Sequence, residues 1–183
     1  MPWPDEHKQE TRDRIVDAAA AAFRTKGIDG VSIAEIMAEA GLTHGGFYAH
    51  FGSKEELVGA ALKRSGSQTI GTLSKDPRID AVIDTYLSAG HVAHPERGCP
   101  LAALGPELAR AGEEVREGLA AGVARRIEFV RRLLPKNEAT EENATAMVAC
   151  MLGGLVLARL VAPEKSEATL EATRSLLHRA GTL

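Results

Sequence analysis

The sequence predicts an all-α protein, and three observations lead there. Apolar residues recur at i, i+3, i+4 and i+7 in successive segments, the spacing of one buried helix face. Capping residues stand before several of these segments, and glycine or proline stands after them. No stretch sustains the period-two alternation of a strand, and internal repeats and low-complexity tracts are absent.

The first helix is expected over residues 11–26, with Ile15, Ala18, Ala19, Ala22 and Phe23 on its inner face and Gly27 at its exit. A second is expected over 33–40, where Ile33, Ile36, Met37 and Ala40 share a face and Ser32 with Glu35 has the form of a capping box. Gly41 breaks it, and Thr43 offers a side-chain oxygen to cap a short helix over 44–50. The Gly45-Gly46 pair weakens that helix by roughly 1 kcal/mol per glycine relative to alanine. Phe47 and Phe51, four residues apart, can anchor it. Ser53 and Glu56 repeat the capping-box pattern before a helix at 54–73. Two short helices around a glycine turn, with glycines where a backbone must come close to a partner, suit insertion into a DNA major groove.

This stretch resembles the DNA-binding domain of the TetR family of bacterial transcriptional regulators. The matching residues are Ile33-Ala34, Ala40-Gly41-Leu42-Thr43, Gly45, Phe47-Tyr48, His50-Phe51, Ser53-Lys54 and Leu57, with the preceding TRDRIVDAAAAAFRTKGIDGVS. The similarity covers about the first third of the chain. Beyond residue 65 only size and helical character agree. The resemblance implies a three-helix helix-turn-helix DNA-binding head over 1–53, a connecting helix over 54–76, and a helical ligand-binding and dimerisation domain over 77–183. It also implies a ligand-responsive regulator, a repressor on a palindromic operator, rather than an enzyme, with no cofactor.

On spacing alone Tyr48 and His50 are either surface residues or contacts to phosphate and base edges; the resemblance favours contact. Thr43, His44 and Gly45 occupy the helix start that such folds point at bases. Lys54, at the first position of its helix, opposes the helix dipole and so suits an anionic partner. With Arg12 and Ser32 these form the candidate DNA-contact set. Charge is the point of tension. The chain carries a net −3, and residues 1–64 hold eight Lys/Arg against ten Asp/Glu, a net of −2, where a nucleic-acid binder is expected to be basic. Residues 42–54, however, contain no acid and offer Lys54, His44 and His50, so a small positive footprint and a shallow salt dependence are expected.

After Pro77 the chain is punctuated by Pro95, Pro100, Pro106, Pro135 and Pro163, and helices are expected at 78–93, 100–111, 113–134, 138–162 and 165–180. An apolar share of 44% and a charged share of 26% are ordinary for a globular chain. Two cysteines without framework spacing fit a reducing cytoplasm. No signal peptide is expected from the polar N-terminus, and the apolar run 147–158, ended by Arg159, is too short to span a bilayer, so no membrane partner is expected.

Pocket residues are placed at Tyr86, Cys99, Leu104 and Phe129 from helix position and polarity. The arginine and glutamate runs, Arg125-Arg126 among them, read as solvated helix faces, so the inducer is expected to be largely apolar. Cys99 is either a small buried hydrophobe or a thiolate stabilised at a helix N-terminus, which would make a redox- or electrophile-sensing regulator. Cys150 reads as packing. His91, His94, Glu96 and Cys99 match no zinc spacing, and Pro95 breaks the helix that would align them, so no metal is expected. Met147, Met151, Gly154, Ala158 and Val161, with Leu170 and Leu177 on the following helix, form a long stripe that suits a four-helix interface in a homodimer.

Overall fold

A computed structural model describes residues 5–181, and every regular element among them is helical. Helix α1 (Asp5–Lys26) starts earlier than its apolar pattern implied. Its first turns lack an apolar face but are rich in Glu, Lys and Gln, which carry helix propensity unaided. Then come α2 (Ile33–Glu39), a 3-10 segment (His44–Ala49) and α3 (Lys54–Leu73). The short helix expected at 44–50 is thus a 3-10 turn, which tightens the backbone around the two glycines.

The single helix expected at 78–93 is two, α4 (Ile79–Tyr86) and α5 (Ala89–Ala93). Leu87 leaves helical geometry at φ −93°, ψ 61°, and the Ser88 hydroxyl caps α5 by accepting from the His91 N–H. A 3-10 turn (Pro95–Arg97) leads into α6 (Pro100–Leu108), α7 (Glu113–Leu133), α8 (Glu141–Leu160) and α9 (Pro163–Gly181). Thr140 caps α8 on the Asn143 N–H, and Pro163 stands at the first position of α9.

Two buried clusters organise these helices. The first joins α1, α2, the 3-10 turn and the start of α3 around Ile15, Phe23, Ile36, Met37, Phe47 and Leu57. It also takes in Leu104 and Leu108 of α6. The second joins the end of α3 to α4, α7, α8 and α9 around Leu73, Ile83, Tyr86, Met151, Leu155 and Leu170. Helix α3 contributes Leu57, Val58 and Ala61 to one cluster and Leu73 to the other, so a shift along it is felt by both.

The stripe assigned to a dimer interface needs correction. Met147, Met151, Gly154, Ala158, Leu170 and Leu177 are buried within the single chain, and Val161 is half-buried. They are where α8 packs on α9: a Cβ on Gly154 would lie 2.6 Å from the Thr173 side chain, so glycine sets the interhelical distance. The free apolar surface of α8 lies on its other face, with Leu157 and Leu160 at 55% and 76% exposure, and Leu176 of α9 at 51%. Cys150, expected to pack, is exposed on α8.

Candidate DNA interface and effector cavity

The helix-turn-helix is held by local bonds that its sequence implies. Ser32 and Glu35 form the full capping box: the hydroxyl accepts from the Glu35 N–H at 3.2 Å and the carboxylate accepts from the Ser32 N–H at 2.9 Å. These bonds, with Lys26 beside it, hold the Glu35 carboxyl down at about 2. Gly41 takes φ +69°, a left-handed conformation, and lets the Leu42 N–H reach the Met37 carbonyl at 2.8 Å. Arg14 of α1 donates to the Ala40 carbonyl, placing a cation at the negative end of α2.

Thr43 departs from expectation. It has the extended backbone of an N-cap, but its hydroxyl makes no capping bond and is exposed. His44 and Gly45 are exposed beside it, and Tyr48 stands out at 66% exposure, its ring edge-on to Phe47 at 5.2 Å. Beneath them Phe47 and Phe51 are buried and stacked at 5.7 Å, so the turn rests on an aromatic anchor.

The remaining candidates are tied into the frame. Arg12 lies 4.0 Å over the Phe51 ring and pairs with Glu56 at 3.0 Å. Glu56 accepts from the Gly52 N–H at 2.8 Å, so the second capping box closes one residue early. Lys54 donates to the Val31 carbonyl at 2.9 Å, which brings the starts of α2 and α3 together. His50 is half-buried with its Nδ1 unbonded, and desolvation, with Lys8 and Arg12 nearby, lowers its pKa. It is therefore neutral at neutral pH and adds no charge to the footprint.

Tyr86 and Cys99 come together in the second cluster around His91. The Cys99 N–H donates to His91 Nε2 at 2.9 Å, which leaves Nδ1 protonated to donate to the Tyr86 carbonyl at 2.7 Å. Burial, reinforced by the nearby arginines, lowers the His91 pKa to about 4, so the ring is neutral. The Tyr86 ring packs edge-on against it at 4.7 Å, and burial raises the Tyr86 phenol well above its usual range. Gly98 fits because a Cβ there would lie 2.7 Å from the His91 ring. Cys99 is fully buried at the start of α6. Phe129 borders a small crevice with Tyr86, whereas Leu104 packs in the first cluster, away from both. His94 pairs with Glu96 at 3.0 Å, and no group of three potential metal ligands occurs among the described residues.

Sequence reasoning missed two features. One is the set of contacts between the head and α6. Buried Arg24 of α1 donates to the Gly98 carbonyl at 2.9 Å, and the Ile28 N–H donates to Glu107 at 2.7 Å. The other is a cleft of about 380 Å³ between α3, the start of α6 and α7, walled by Leu62, Ile70, Leu101 and Leu119 and reached by Lys63, Arg125 and Arg126. Arg126 is 5% exposed, which corrects the solvated reading of the Arg125-Arg126 pair. Its position was legible: it lies four residues after Gly122 and four before buried Val130, in phase with the inner face of α7. A second cleft of about 330 Å³, rich in hydroxyls, lies between α3 and α4–α5 and is lined by Tyr86 and His91.

Comparison with known proteins places the chain in a family. The profile described as "Bacterial regulatory proteins, tetR family" matches residues 15–61, and "Tetracyclin repressor-like, C-terminal domain" matches residues 76–175, more than half of the chain. The chain belongs to the TetR family. Residues 15–61 are its tetR-family regulatory domain, the helix-turn-helix described above. Among curated relatives it is similar to the HTH-type transcriptional regulator TtgR of Pseudomonas putida, 46% identical over 57 residues, which are 31% of this chain and 27% of TtgR. It is also similar to the HTH-type transcriptional repressor SCO4008 of Streptomyces coelicolor, 37% identical over 89 residues, 48% of this chain and 46% of that one. These matches thus span less than half of either relative. A solved TetR transcriptional regulator from Chloroflexus aurantiacus superposes with a TM-score of 0.78 at 28% identity, covering 96% of this chain and 94% of that one.

Proposed function

We propose that this protein is a ligand-responsive repressor that binds a palindromic operator as a homodimer in the cytoplasm. The observation that carries the ligand-responsive reading is the double membership of α6. Its first residues, Pro100 and Leu101, line the 380 Å³ cleft, while Leu104 and Leu108 are packed in the first cluster and Glu107 caps the Ile28 N–H. A ligand that moves the start of α6 therefore pushes on the head through the same helix, and on α3 through the opposite wall of the cleft. The heads then change spacing rather than unfold. A coupling of about 1–3 kcal/mol corresponds to a 5–150-fold change in operator affinity.

In this reading Thr43, His44, Gly45 and Tyr48 face the bases and Arg12, Ser32, His50 and Lys54 frame the phosphates. The uncovered apolar face of α8 and α9 supports the dimer. By length and composition α8 could cross a membrane, yet only 39% of its apolar window is buried inside the chain. A second copy laid against Leu157, Leu160 and Leu176 would cover this face, and a palindromic operator would need the two heads roughly 34–36 Å apart, one turn of DNA.

The test is fluorescence anisotropy on the DNA upstream of the gene for this chain. Tyr48→Ala is expected to weaken binding at least tenfold while the circular dichroism spectrum stays unchanged; wild-type affinity in that variant would take the 43–48 turn out of the interface. Cys99→Ser addresses the alternative, a redox- or electrophile-sensing regulator acting through Cys99. The thiol is fully buried, and the proposal expects the variant to keep its ligand response.

A further inference from the structure

The cleft between α3, α6 and α7 has a charge pattern that its apolar walls conceal. Its lining includes three cations, Lys63, Arg125 and Arg126, and no carboxylate. Lys63 and Arg125 are exposed, but Arg126 is 5% exposed and makes no hydrogen bond or ion pair with any described residue. The Tyr86 ring lies 6.0 Å from the guanidinium, a weak contact at that distance. The residue is largely withdrawn from water and its guanidinium borders the cleft without a counter-ion, so this chain holds a poorly compensated positive charge at the cleft wall. The start of α6 lies beside it. The Leu101 and Ala102 N–H groups belong to the first turn, where no intrahelical carbonyl can reach them, and the positive end of that helix points the same way.

The walls point to the rest of the ligand. Four helical glycines, Gly59 and Gly66 on α3 and Gly118 and Gly122 on α7, line the cleft. A Cβ would meet nothing within 4 Å at the first three, and only the Arg125 guanidinium, at 3.8 Å, at the fourth. Close packing therefore does not require glycine there, although glycine weakens a helix. What the four glycines do is leave the cleft open beside Leu62, Ile70, Leu101 and Leu119.

We propose that the effector is an apolar carboxylate, its anionic head paired with Arg126 and the α6 N-terminal amides and its hydrocarbon body against the leucine and isoleucine walls. This rests on the ligand-responsive reading above and adds one anionic group to the largely apolar inducer expected from the sequence. Binding would neutralise Arg126 and pull the start of α6 toward α7, loading the Arg24–Gly98 and Glu107–Ile28 contacts to the head.

The test is calorimetry and thermal shift on the full chain with octanoate and 4-phenylbutyrate, each against its methyl ester and the matching primary amine. The carboxylates are expected to bind and raise Tm, and the esters and amines to do neither. Arg126→Gln is expected to weaken carboxylate binding about 30-fold or more, the loss typical when one partner of a buried charge pair is removed. Its apo Tm should rise, because an unpaired buried charge is gone, which separates lost binding from lost folding. Arg126→Lys should recover part of the affinity, and Gly66→Leu should block binding by filling the cleft while promoter binding persists. Equal binding of esters or amines, unchanged affinity in Arg126→Gln, or no binding of either carboxylate would overturn the assignment. Promoter binding by the apo protein keeps the outcomes distinguishable. If it persists while the carboxylates fail to bind, only this inference falls; if carboxylates bind and the promoter is never bound, the site stands and the regulator reading falls.

Discussion

His91 shows how one neutral imidazole organises the middle of the molecule. It accepts from Cys99, donates to Tyr86, and carries Arg159 on its own carbonyl at 2.6 Å. All of this requires the uncharged ring. Because its folded pKa, about 4, lies below the unfolded value, the unfolded chain binds the extra proton first as pH falls. The stability His91 contributes is present above about pH 6.5 and declines toward pH 4, by up to about 1.4 kcal/mol per unit. Urea midpoints at pH 7 and pH 5 should separate more in the wild type than in His91→Gln; equal separation would place the pH dependence elsewhere. The sequence offered His91 as a rejected metal ligand and not as the ring that joins Tyr86 to Cys99, because an i, i+8 contact across a broken helix has no periodic signature. Thr43 illustrates the converse: its residue type suggested a cap, yet the 3-10 geometry leaves its hydroxyl free.

At the scale of elements, the head was legible almost residue by residue because its signals are local: Ser32 with Glu35, Gly41, and Phe47 with Phe51. Gly41 illustrates the point. At φ +69° any side chain is strained, and a Cβ would stand 3.1 Å from the Arg14 guanidinium. Gly41→Ala should cost about 1–2 kcal/mol, read as a lower Tm, with the loss confined to the head. Neutral stability would mean that the turn relaxes. The helices after Pro77 were located by proline and apolar period, but α4 and α5 were fused, since a two-residue break leaves the period intact. Helix α6 was placed without its partners: nothing local tells that Leu104 and Leu108 pack under α1 rather than beside Tyr86. Its contact with the head yields a separable prediction. Glu107→Ala leaves the Ile28 N–H without its acceptor, which should lower stability by roughly 1–3 kcal/mol and reduce the ligand-induced change in DNA affinity toward none. A variant with full ligand response would exclude α6 as the transmitter.

For the whole molecule, the apolar stripe of α8 was found correctly and assigned to the wrong neighbour. Periodicity shows that a face is apolar, not whether it is covered by the same chain or by another. The structure gives the Met147–Ala158 stripe to α9 and leaves Leu157, Leu160 and Leu176 outside. Leu157→Arg is thus expected to yield folded monomers in sedimentation, with normal helicity and loss of two-site DNA binding. Gly154→Arg should instead unfold the protomer, because Thr173 occupies its space. A Leu157→Arg dimer would place the interface elsewhere.

The central claim, that a cleft between the two clusters controls DNA binding by the head, is tested most directly by promoter titration with and without ligand. Anisotropy with a labelled fragment upstream of the gene, at fixed moderate salt, should show two protomers per palindrome and a 5–150-fold loss of affinity on adding saturating 4-phenylbutyrate. Binding no tighter than to a scrambled fragment of equal length, or an affinity that the bound ligand leaves unchanged, would contradict it.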